Sequence, residues 1–111
     1  MRLADVVQRL ELKVLVGSDL LDRKVSGGYA GDLLSDVMAN SAAGQLWITI
    51  QSHVNIVAVG VLRELAGIIL SQDRLPDEAT LVRAEQEKVP LIQSSRSTFE
   101  VSGLLFKLLN E

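Results

Sequence analysis

Arg74, Arg96, Gln51, His53, Asn55, Ser94, Ser95 and Thr98 are the side chains in this sequence best equipped to hold an anion. Guanidinium groups give forked, charge-assisted hydrogen bonds to carboxylate or phosphate oxygens, and hydroxyls and amides can complete such a shell. A second set lies in the run Val25-Ser26-Gly27-Gly28-Tyr29-Ala30-Gly31-Asp32, which leads into an amphipathic segment. Glycine allows close backbone approach, and a helix start carries unpaired N–H donors and about half a positive charge. Gly27, Gly28 and Asp32 therefore join the candidate ligand-binding residues, with Tyr29 placed either to pack over the helix start or to cover a bound ring.

Catalytic sets are harder to assemble. His53 is the only histidine and there is no cysteine, so no nitrogen–sulfur metal site can be completed. His53 reads as a loop residue whose ring bonds a neighbour, or as a group titrating near neutrality if it sits in a pocket. Asp32 and Asp36, spaced i, i+4, could hold magnesium, but an N-capping Asp32 and a solvated Asp36 explain the same pair. Ser35, His53 and Asp36 spell a nucleophilic set without a glycine elbow or oxyanion motif. There is no G-x-x-x-x-G-K-[ST] loop, and Gly27-Gly28-x-x-Gly31 departs from the G-x-G-x-x-G fingerprint. No cofactor, no metal and no catalysis are expected.

The elements that must position these residues can be read from periodicity. Leu3, Val6, Val7 and Leu10 mark a short opening helix, and Leu12–Val16 a buried strand ended by Gly17-Ser18. A glycine loop then precedes a helix over about Asp32–Asn40. From there the pattern is regular: strand Leu46–Ile50, apolar helix Val54–Ala66, strand Gly67–Leu70, helix Pro76–Lys88, strand Val89–Gln93 and helix Ser97–Asn110. Ser97 and Glu100 form a capping box, and Trp47 is a core residue whose indole N–H needs one buried acceptor. Gly60 weakens its helix by about 1 kcal/mol unless another element packs close there.

This alternation implies an α/β fold: a single compact domain with a mostly parallel sheet, right-handed crossovers and a βαβαβα C-terminal half. In such sheets ligands sit beyond the carboxyl ends of the strands. Gln51, Ser52, His53 and Asn55 follow one strand there, Ser71 to Arg74 the next, and Ser94 to Thr98 the last. The competing explanation is that serine, threonine, asparagine and aspartate at these places only cap helices and close turns.

Composition narrows the classes further. The 111 residues are 48% hydrophobic and carry a net charge of −3, which argues against disorder and against nucleic acid. Met1-Arg2-Leu3-Ala4-Asp5 lacks a signal-peptide core, and the longest apolar run, Ile56–Leu62, is too short to span a bilayer. A cytoplasmic protein with no membrane partner is expected.

Several ordered blocks resemble a DRTGG domain. They are Val25-x-Gly27-x3-Gly31-Asp32-Leu33-Leu34-Ser35-Asp36-Val37-Met38, then Leu46-Trp47-Ile48-Thr49-Ile50-Gln51-x-His53-x-Asn55-Ile56-Val57-Ala58-Val59, then Pro76-Asp77-x2-Thr80-Leu81, Val89-Pro90-Leu91 and Ser97-Thr98-Phe99-Glu100. The likeness runs from about residue 12 to the C-terminus, with residues 1–11 as a preceding helix. It implies a fold similar to the N-terminal domain of HPr kinase/phosphorylase. It also implies a regulatory, dimer-forming role like that of such domains beside CBS domains in regulated pyrophosphatases.

Stand-alone relatives are often labelled serine kinases, but the kinase's phosphate-binding loop belongs to a different domain, absent from this sequence. The resulting expectation is a non-catalytic regulatory and oligomerisation module, a homodimer that binds a small anionic metabolite or nucleotide and is read by a partner enzyme. A purely structural dimerisation domain is the alternative, and a phosphotransferase ranks third.

Overall fold

Three apolar runs alternate in which face they present, and this divides the molecule into layers. The computed structural model describes all residues, 1–111, in the order α1 (Leu3–Arg9), β1 (Lys13–Val16), β2 (Gly27–Ala30), α2 (Leu34–Asn40), β3 (Gln45–Thr49), α3 (Asn55–Leu62), β4 (Gly67–Leu70), α4 (Glu78–Glu87), β5 (Leu91–Gln93) and α5 (Thr98–Leu109). Leu46, Ile48, Ile69 and Ile92 point to one side of the sheet, against Leu3, Val6 and Leu10 of α1 and Val101, Leu105 and Leu108 of α5. Trp47, Ile68, Leu70 and Leu91 point to the other, against Val37, Ile56, Val57, Val59 and Ala84 from α2, α3 and α4. The period-two geometry of a strand makes this division unavoidable once both faces are covered.

The five strands lie in the order β1-β5-β4-β3-β2. β2, β3, β4 and β5 are mutually parallel, and β1 runs antiparallel to β5 with a register irregularity between Val14 and Val16. The fold is therefore the expected α/β class with a mostly parallel sheet. β1 departs from the reading of a buried strand, because Lys13 is exposed and only Val16 is fully buried.

Two local expectations are corrected. Gly27 and Gly28 are not in a loop: they open β2 and pair with Gln45 and Leu46 of β3. Glycine is a poor strand former, but a Cβ on Gly28 would stand 2.8 Å from Leu105 Cδ2, so its bare backbone lets α5 pack directly on the strand. The following helix starts at Leu34 and not at Asp32, and Asp32 does not cap it: Leu33 occupies the cap position with no side-chain bond.

The apolar segment beginning at Val54 is helical from Asn55 to Leu62, and Gly60 is buried with its Cβ direction 3.1 Å from Val89 Cγ1. The close packing that would offset the cost of a glycine at this position is present. No helix is long and apolar enough to cross a membrane.

Candidate functional site

The carboxyl ends of β2, β3, β4 and β5 open onto one rim of the sheet, and side chains from successive loops are stitched together along it. At the β2 end, Asp32 leaves the helix start and turns to β3, accepting from Thr49 Oγ1 at 2.8 Å and from the Ile50 N–H at 3.0 Å. Gln51 Nε2 returns a bond to the Asp32 carbonyl at 3.0 Å. In the centre, the Ser52 carbonyl accepts from Thr80 Oγ1 at 2.8 Å, tying the β3 loop to α4. His53 is exposed and its Nδ1 accepts from the Asn55 N–H at 3.4 Å, the local role read from sequence. Asn55 opens α3 on the outer surface, exposed and facing the groove between α3 and α4.

The β4 and β5 ends are locked most tightly. The Gln72 N–H donates to the Arg96 carbonyl at 2.8 Å, and the Asp73 N–H to the Ser94 carbonyl at 2.9 Å. Gln72 and Asp73 are consecutive non-glycine residues with φ of 59° and 54°, an arrangement held by those two bonds. Ser94 is buried and its Oγ accepts from the Arg96 N–H at 3.2 Å. Thr98 Oγ1 lies 2.6 Å from Ser71 Oγ, and Ser95 is exposed beside them.

The two arginines part company here. The Arg96 guanidinium turns back toward α1, donating to the Leu10 carbonyl at 2.6 Å and lying 3.5 Å from Glu11 Oε1. A helix C-terminus offers bare carbonyls that cations satisfy, so Arg96 is spent on closing the end of α1. Arg74 is exposed, and its guanidinium makes no ion pair or hydrogen bond within the chain. Asp32, Asp73 and Asp77 share the rim, so its field is mixed in sign.

Gln51, His53, Asn55, Arg74, Ser94, Ser95, Arg96, Thr98 and Asp32 are thus gathered along one edge, whereas Gly27 and Gly28 begin β2 at the other end of that strand. The two glycines line a groove of about 410 Å³ between β2 and α5. No cluster of three or more histidine, cysteine or acidic side chains is placed to hold a metal.

Asp36, expected to be solvated, instead accepts from the Tyr29 hydroxyl at 2.5 Å and from Asn40 Nδ2 at 2.9 Å. That bond, with partial burial and the carboxylate charge behind it, raises the Tyr29 pKa above its ordinary value of 10.0, opposed by Asn40. Tyr29 therefore packs over the helix start, one of its two anticipated roles. Sequence reasoning missed the Tyr29–Asp36 pair because it considered the two residues separately, although they stand only seven positions apart.

This layered α/β architecture has a counterpart of known structure. It is similar to the regulatory region, CBS and DRTGG domains, of a pyrophosphatase from Clostridium perfringens, solved in complex with an activator, diadenosine tetraphosphate. The TM-score is 0.69 at 12% identity, over 93% of this chain and 45% of that one. The chain thus spans under half the length of that structure, and the likeness is one of fold. No protein-family model matches the sequence, and no curated protein does.

Proposed function

We propose that this chain is a regulatory module, not an enzyme, and that the carboxyl rim of its sheet receives the phosphate of a small anionic metabolite or nucleotide. Residues 12–111 form its DRTGG-like core, and it works in the cytoplasm as a homodimer whose geometry a partner enzyme reads. The observation that carries this reading is the pairing of the β4–α4 and β5–α5 loops, with an exposed Arg74 in the first whose guanidinium has no partner within the chain. A preset loop with a free cation binds without first being ordered, and a ligand held there shifts assembly by as much as it binds one state better than the other. The fold neighbour's status as an enzyme's regulatory region, solved with an activator, supports the same reading.

Calorimetric titration with AMP, ATP, diadenosine tetraphosphate and acetyl phosphate tests it. Binding of at least one nucleotide is expected, with Arg74→Ala weakening it about tenfold or more, as for loss of a charge-assisted hydrogen bond. Absence of heat with every one of these anions would overturn the ligand assignment. Arg96→Ala should instead lower thermal stability, because its guanidinium holds the end of α1.

A further inference from the structure

Both edges of the sheet are open, but they are built differently. β1 carries an exposed Lys13 and a register irregularity between Val14 and Val16, two devices that keep an edge from pairing with another chain. β2 at the opposite edge is Gly27-Gly28-Tyr29-Ala30, with no charge, no proline and no bulge across its register with β3. Beside it, α5 exposes Phe106 at 71% and, one turn pair earlier, Phe99 at 88%. A strand without edge protection, flanked by bare aromatic surface, is the pattern of a strand awaiting a partner.

The groove between β2 and α5 is lined by no charged residue, although 23% of the chain is charged. That absence selects the occupant. In a two-fold interface residues near the axis meet their own copies, so charges placed there would face like charges. A chain of net charge −3 avoids repelling itself at a face without charge, and this groove has none.

We infer that β2 pairs antiparallel with β2 of a second copy, extending the sheet across a two-fold axis and covering Phe106. This rests on the self-association in the reading above and assigns the surface that performs it. Antiparallel pairing about a centre between Gly28 and Tyr29 sets Gly27 opposite Ala30 of the other copy, so a charge at Ala30 sits at the junction. The ring of Phe106 then closes over the joined strands from the α5 side. A standard interface buries about 800 Å² per partner, roughly an eighth of this molecule's 6031 Å² surface.

The test is sedimentation velocity from micromolar to near-millimolar concentration on the full chain, Ala30→Lys, Phe106→Glu and Leu62→Lys. All three positions are exposed, and circular dichroism checks that each variant is folded. The wild type should sediment at twice 12.1 kDa. Ala30→Lys and Phe106→Glu should each weaken the dimer about tenfold or more, through desolvated or like charge, and Leu62→Lys on α3 should leave it intact. A dimer that survives both changes in the β2–α5 face overturns this surface while leaving self-association standing. A wild type that stays monomeric throughout overturns both.

Discussion

The Tyr29 phenol, on the only tyrosine in the chain, has its ionisation shifted upward by the fold. Its proton is held by the bond to Asp36, so the folded chain binds that proton more tightly than the unfolded chain does. The resulting stabilisation is full below the unfolded value near 10 and is lost as pH rises through the higher folded value. Absorbance at the tyrosinate band should titrate above pH 10, and Asp36→Asn should bring the midpoint down toward about 10. An unchanged midpoint in that variant would remove Asp36 as the cause. Residues with local partners were the legible ones: Ser97 and Glu100 form the predicted capping box at 3.2 Å, and His53 bonds two positions away. The fate of Arg96 was hidden, since its acceptor is a carbonyl 86 positions earlier that only tertiary structure brings near.

Among the elements, α4 and α5 show how much their ends contribute. α5 begins with the Ser97 cap, and Ser97→Ala should cost about 1 kcal/mol in urea denaturation. α4 ends at Lys88 in the left-handed region, φ 57°, a conformation that strains any residue with a Cβ. Lys88→Gly should stabilise the fold by about 0.5–1 kcal/mol, since the Lys88 carbonyl that accepts from Arg23 Nη2 is retained. The helices and the three central strands were readable because their apolar periodicity is strong and their faces are fully buried. β2 was not, because its own residues disfavour a strand. Pairing with β3 and packing beneath Leu105 decide its state, and neither is local.

For the molecule as a whole, the opening helix is part of the hydrophobic interior although it precedes the stretch that carries the family resemblance. Leu3 and Val6 are fully buried and Leu10 nearly so, in the same cluster as Leu46, Ile69 and Leu105. Each such side chain is worth about 2 kcal/mol on burial, against a total stability of about 5–15 kcal/mol for a domain. A chain starting at residue 12 should therefore lose its cooperative unfolding transition by circular dichroism, whereas a helix merely appended would leave it unchanged. Sequence periodicity showed that α1 has an apolar face. It could not show that this face, beside α5, closes one entire side of the sheet.

The lone indole has a practical corollary. Trp47 is shut away from solvent and donates to the Gly31 carbonyl at 2.7 Å, at the point where β2 gives way to the rim. It is therefore an intrinsic fluorophore at the junction of the two surfaces on which regulation would turn. Its emission colour would register a disturbance of either one without any label being attached.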